Sequence, residues 1–206
     1  MTHDRMTKIK GLIQDQANQT SRPLPSFWKP ARLIRRITND KNTQSWLTTP
    51  NSLTEKMRIP CPELMVEVLS ETVDRPLIDE ANTLEMHPQE QAWIRCVLLK
   101  CGESDWVYAR TIIPNFTKTN PWHSLQALGS KPLGDVLFEL PSIQRSEFEF
   151  SKQLLKNLPH FNTCLPSQQL NITGYARRST FKQQDAPLLL TEVFLPGLLN
   201  LEVENK

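Results

Sequence analysis

The chain has 206 residues, of which 38% are hydrophobic and 22% charged, with a formal net charge of +2. That length suffices for one domain with a sizeable core, and the balanced charge gives no reason to expect nucleic acid as a partner. No apolar run approaches the ~20 residues that span a bilayer, which argues against stable membrane insertion. The N-terminus lacks a signal-peptide core, so a cytoplasmic location is the expectation.

Residues 1–25 are polar, carry no strong period and read as an N-terminal extension. Pro23, Pro25 and Pro30 punctuate the entry to a single domain over residues 26–200, and residues 201–206 form a C-terminal tail. Residues 42–59 look helical in two pieces broken at Pro50, with Asn51 or Ser52 as cap of the second. Residues 63–73 alternate as a strand. Residues 91–114 form two strand-like runs around Gly102-Glu103-Ser104-Asp105, which predicts a β-hairpin. A helical region follows over 121–140, interrupted between Gly129 and Pro132. Residues 144–154 alternate as a strand, and 156–170 read as a loop or a short helix. Residues 172–196 form a second hairpin that turns at Gln183 to Ala186. This order predicts α+β architecture around one antiparallel sheet.

The four cysteines, Cys61, Cys96, Cys101 and Cys164, form no CxxC pair, and no histidine stands at metal-ligand spacing. Reduced thiols are the expectation, with Cys96 a small core residue, no metal and no cofactor. His3, His87, His123 and His160 sit in loop-like or helix-start contexts. No GxSxG, GxGxxG or GxxxxGK[ST] motif is present.

Strand periodicity sorts the remaining charges by face. Glu192 shares a face with Leu188, Leu190 and Phe194. Arg95 shares one with Trp93, Val97 and Leu99, and Arg110 one with Trp106, Tyr108 and Ile112. Arg177 and Arg178 point to opposite faces. A plain core avoids ionisable groups on such stripes. One reading is a structural ion pair, or arginine stems laid along apolar surface. The other is a pocket for a small ring-bearing anion, clamped by arginine forks and touched by Glu192. Glu192→Leu would match the surrounding stripe and is expected to be neutral or stabilising, because it removes a buried charge.

The blocks "WIRCVLLK", "WVYARTIIP", "LQALGSKPLGDVLFE", "YARRSTF" and "PLLLTEVFLP", with a weaker "NSLTEKM", resemble the chorismate pyruvate-lyase family of ubiquinone biosynthesis. They span about residues 51–196 in the family's order. The resemblance implies a twisted six-stranded antiparallel sheet with helices packed against it and helical flaps over an enclosed pocket. It implies conversion of chorismate to 4-hydroxybenzoate and pyruvate without a cofactor, by a monomer, with tight product binding. Arg95 and Glu192 would be the catalytic pair. Arg95 would bind the ring carboxylate, and Glu192 with the Leu133 amide would meet the 4-hydroxyl. The Leu53 amide would also meet the ring carboxylate. Arg110 and Arg177 or Arg178 would clamp the enolpyruvyl carboxylate. Three alternatives share the resemblance: an effector-binding domain without catalysis, a sibling lyase giving another hydroxybenzoate, and an inactive paralogue.

Overall fold

The structure, a computed structural model, describes residues 27–137, 140, 142–157 and 172–201. The expected N-terminal extension, most of the 156–170 segment and the tail after 201 lie outside the described residues, as do His3, His160 and Cys164. Eight strands form one antiparallel sheet in the order β1-β6-β7-β8-β4-β3-β2, with β5 also pairing with β7. They are β1 (Lys29–Pro30), β2 (Met65–Asp74), β3 (Ala92–Cys101), β4 (Ser104–Pro114), β5 (Gln144–Arg145), β6 (Glu149–Leu154), β7 (Thr173–Gln183) and β8 (Ala186–Phe194). The expected six strands are the six long ones. β1 is two residues, too short to leave a hydrophobic period, and the strand expected over 144–154 splits into β5 and β6, with residues 146–148 in neither.

Both predicted hairpins form. Gly102 turns the first with φ 55°, and Gln184 and Asp185 turn the second with φ 48° and 64°. Positive φ at two successive central residues suits a two-residue hairpin, because its twist matches that of the strands. The helix Lys41–Leu47 is capped by Asp40, and Leu53–Arg58 by Ser52, whose side chain accepts from the Glu55 amide. Pro50 lies between them, as the sequence suggested.

The sheet carries a core on each face. Leu47, Met57, Val97, Leu190 and Phe194 belong to one. Ala81, Leu84, Ile94, Tyr108, Ile112 and Leu189 belong to the other. Each fully buried Leu or Phe contributes about 1.5–3 kcal/mol. The predicted face sorting holds in β3 and β8 and fails at one residue of β4. Leu99 pairs with Val107 but Lys100 pairs with Asp105, so Trp106 is an extra residue. That bulge turns Trp106 toward the first core, away from Tyr108 and Ile112.

The expectation of reduced thiols is corrected at two positions. Cys61 and Cys101 form a disulfide, with Cα atoms 6.1 Å apart and a sequence separation of 40. No local spacing signals such a pair, because only the packing of the turn after Leu53–Arg58 against the end of β3 brings it together. Cys96 is free and buried, as expected.

The helix Pro196–Leu199 closes the chain against β4. A Cβ on Gly197 would lie 2.5 Å from the Asp105 carbonyl oxygen and 2.4 Å from Ser104 Oγ. Backbone cannot yield as a flexible side-chain tip does. Gly197→Ala should therefore destabilise the fold by about 1–3 kcal/mol, read as a lower denaturation midpoint with an unchanged denaturant slope.

Candidate functional site

The cross-strand register decides which charges meet. Directly opposed residues in an antiparallel pair share a face. Arg95 pairs with Thr111, Ala109 with Glu192, and Glu192 with Arg177. These five residues stand on one face and line a single cavity. Its apolar wall includes Val97, Leu99, Phe181 and Leu190, and its cover includes Leu53 and Thr54 of one helix and Leu133 and Gly134 of another, Leu133–Leu137. Leu53 and Leu133 each open a helix, where first-turn amides have no intrahelical acceptor. The two covering helices touch closely. A Cβ on Gly134 would lie 3.0 Å from Thr54 Oγ1, and Arg58 makes a two-pronged contact with Asp135 at 2.9 and 2.7 Å.

Arg95 is 3% exposed. Its Nη2 donates to the Gly129 carbonyl at 2.7 Å, and its Nε lies 3.4 Å from Glu71. Its Nη1 is buried and has no hydrogen-bond partner among the described residues. Burial pushes the Arg95 guanidinium below its ordinary pKa, and the Glu71 carboxylate opposes that shift. Arg177 donates through Nε to Glu192 Oε2 at 2.6 Å and through Nη1 to the Thr49 carbonyl at 2.8 Å. Glu192 thus has both an ion-pair partner and a place in the cavity wall, so the two sequence readings of this acid are not exclusive.

One charged residue of the cavity escaped the sequence reading. Arg145 of β5 reaches in from the edge of the sheet and lies over the Phe148 ring at 4.0 Å. Its Nε donates to Ser179 Oγ at 2.9 Å and its Nη1 to the Pro50 carbonyl at 3.0 Å. Burial, then the like charge of Arg177, pushes its pKa down to about 10, with Glu192 pulling the other way. The strand expected over 144–154 includes it, but unbroken alternation puts Arg145 on one face with Glu149, whereas the break between β5 and β6 sets the two on opposite faces.

Two expected clamps are corrected. Arg110 pairs with Cys96 and Thr191, and Arg178 also with Thr191, so both face away from the cavity. Arg110 donates to Glu80 through Nε at 2.8 Å and Nη2 at 3.1 Å, and through Nη1 to Cys96 Sγ at 3.4 Å. Burial works to lower its pKa, but the Glu80 contacts outweigh this and hold it above its ordinary value. Arg178 contacts Glu149 at 2.8 Å and Asp79 at 3.2 Å, with its guanidinium over Trp28. Periodicity orders residues within one strand. It does not give the register between strands, and Arg110 was misplaced for that reason.

A single antiparallel sheet with a cation-lined cavity under two short helices defines an α+β protein with room for a small molecule on one face of its sheet. The sequence profile of the chorismate lyase family matches residues 25–203. A relative from Hydrogenovibrio crunogenus, described as a probable chorismate pyruvate-lyase, is 44% identical over 172 residues, covering 84% of this chain and 91% of the relative. One from Nitrosomonas eutropha with the same description is 34% identical over 178 residues, covering 86% and 97%. Among solved structures, the PhnF C-terminal domain is similar with a TM-score of 0.48 at 14% identity, covering 65% of this chain and 83% of that one. The chain belongs to the chorismate lyase family, a family of lyases. No helix among the described residues is long and apolar enough to cross a membrane.

The ion pairs on the two faces make separable predictions. Arg110→Ala strands Glu80 in the core and should cost about 3–5 kcal/mol of stability, while ligand affinity of the folded protein stays at the wild-type value. Glu192→Leu strands Arg177 in the same way, so the neutral or stabilising effect expected from removing a buried charge is reversed. Thermal melts paired with product titration check both. A Glu192→Leu protein as stable as wild type would contradict the ion-pair assignment.

Proposed function

We propose that this protein converts chorismate to 4-hydroxybenzoate and pyruvate. The observation that carries the reading is the charge of the cavity. Three guanidiniums, Arg95, Arg145 and Arg177, line it against one carboxylate, Glu192, amid apolar walls. The surplus of positive charge, two over Glu192 and still one when Glu71 beside Arg95 is counted, suits an anion with a hydrocarbon ring, and chorismate is one. Guanidinium forks bind carboxylates through two parallel hydrogen bonds.

Arg95 takes the ring carboxylate through Nη1, whose lack of a partner among the described residues is costly until an anion arrives. The Leu53 amide assists at that carboxylate. Arg145 takes the enolpyruvyl carboxylate, the part that the sequence had given to Arg110 and to Arg177 or Arg178. Its depressed pKa supports this, because an anion would relieve the strain of holding two buried cations together. Arg177 is a positioning residue that holds Glu192 by its Nε contact. Glu192 and the Leu133 amide meet the 4-hydroxyl.

In the reaction the C3–O bond breaks and its electrons leave with the enolpyruvate oxygen. The C4–H bond supplies the electrons that complete the aromatic ring. The released proton is balanced by protonation of the enolpyruvate methylene, which gives pyruvate. Aromatisation supplies much of the driving force, so orientation and charge stabilisation are the main tasks of the protein. In this reading Glu192 carries the proton between these positions. A cavity shut by two helices keeps water out and slows product departure, which gives product inhibition. We place this activity in a cytoplasmic monomer that supplies the aromatic ring of ubiquinone, with residues 26–200 as the working domain. The chemistry calls on no metal and no organic cofactor.

Arg95→Ala should lose about 2–5 kcal/mol of 4-hydroxybenzoate affinity. Arg145→Met should weaken chorismate more than product, because the product lacks the second carboxylate. Glu192→Gln should lower turnover about 10²–10⁴-fold while product still binds. A chorismate turnover assay with chromatographic product analysis, paired with calorimetric titration, reads all three. Formation of 3-hydroxybenzoate, or tight product binding without turnover in the wild type, would sink the reading.

A further inference from the structure

The Cys61–Cys101 disulfide has no part in the chemistry above, yet it sits at the hinge of the cavity cover. Leu53–Arg58 supplies Leu53 and Thr54 to the cavity. On its entry side the chain is held by Arg145 at the Pro50 carbonyl and by Arg177 at the Thr49 carbonyl. On its exit side the next fixed element is β2, which begins at Met65 and pairs with Lys100. Between them Ile59 is 81% exposed, whereas Cys61 is fully buried and bonded to Cys101.

Chain length sets how far the helix can swing. Without the cross-link, residues 59–64 join its exit end to β2, a tether with a contour of about 20 Å at ~3.3–3.6 Å per residue, so that end can swing about the held entry. With the cross-link, only Ile59 and Pro60 separate the helix from a fixed point, which leaves a tether of about 7 Å. Cys101 is half-buried beside the Gly102 turn, with the Glu63 carboxylate 3.8 Å from its sulfur at the surface.

We propose that Cys61 and Cys101 are a site of reversible thiol–disulfide modification, with a low-molecular-weight disulfide as co-reactant, and that the bond restrains opening of the cavity cover. The deprotonated Cys101 thiol attacks the small disulfide and expels one thiolate. The Cys61 thiolate then attacks the mixed disulfide at Cys101 and expels the second. The two protein protons end on the two departing thiols, and the small disulfide is reduced as the protein pair is oxidised. The consequence for product release rests on the lyase reading, but the restraint itself does not.

The test uses the full chain equilibrated in glutathione buffers of graded oxidised-to-reduced ratio. Pairing is read by mass spectrometry and opening by amide hydrogen exchange. Reduction should speed exchange in 53–58 by about tenfold while β7 and β8 stay unchanged, and 4-hydroxybenzoate should dissociate faster by a similar factor. Cys61→Ser/Cys101→Ser should behave as the reduced protein in every buffer, and Cys96→Ser should respond as wild type. Equal exchange in both states, a rise spread evenly over the sheet, or a pair that glutathione cannot convert would overturn the proposal. Exchange that responds to reduction in a protein with no chorismate turnover would support the restraint and reject the lyase reading.

Discussion

The cavity depends on one buried contact across two neighbouring strands, Arg177 to Glu192 at 2.6 Å. Each charge alone would be costly in this core, and together they are tolerable only with good geometry and further hydrogen bonds. The sheet register provides the geometry by placing the two residues directly opposite each other. The Thr49 and Leu47 carbonyls provide the further bonds. Because those carbonyls belong to the segment that leads into Leu53–Arg58, the same guanidinium ties the cavity floor to its cover. The pair therefore fixes a carboxylate in an apolar wall and sets the height of the lid above it.

The opposite face of the sheet solves the same electrostatic problem without a cavity. Arg110 and Glu80 meet there with both carboxylate oxygens engaged, one of them also accepting from the Leu77 amide at 2.8 Å. The helix Ile78–Thr83 fills the space above. The difference between a structural ion pair and a site lies in what remains open. On the Glu80 face donors and acceptors are matched within the protein. On the Glu192 face guanidiniums outnumber carboxylates, and one Arg95 nitrogen lacks a partner among the described residues. Burial that depresses both Arg95 and Arg145 acts in the same direction, favouring any ligand that returns negative charge to the cavity.

Much of the architecture was legible because hairpins are local. The two turns, the helix break at Pro50 and the stripes around Arg95 and Glu192 follow from period and turn chemistry within a few residues. What escaped is non-local. Arg110 was given to the cavity because alternation within β4 does not say how β4 is registered against β3 and β8. Arg145 was missed because alternation through 144–154 groups it with Glu149, and only the break between β5 and β6, with the pairing to Phe181, carries it to the cavity. The Cys61–Cys101 pair spans 40 residues and follows no motif. Glu192 drew attention as an isolated acid, and only the register between β7 and β8 revealed Arg177 as its partner.

The central claim is that the Arg95 to Glu192 face holds the ring of the substrate with its polar ends fixed. The most direct measurement is the position of 4-hydroxybenzoate in a crystal of its complex with the wild-type protein. The carboxylate should lie about 2.7–2.9 Å from Arg95 Nη1, with the phenol oxygen beside Glu192 and the Arg177 contact intact. A ligand bound on the Glu80–Arg110 face, or one in the cavity with its carboxylate away from Arg95, would contradict the account.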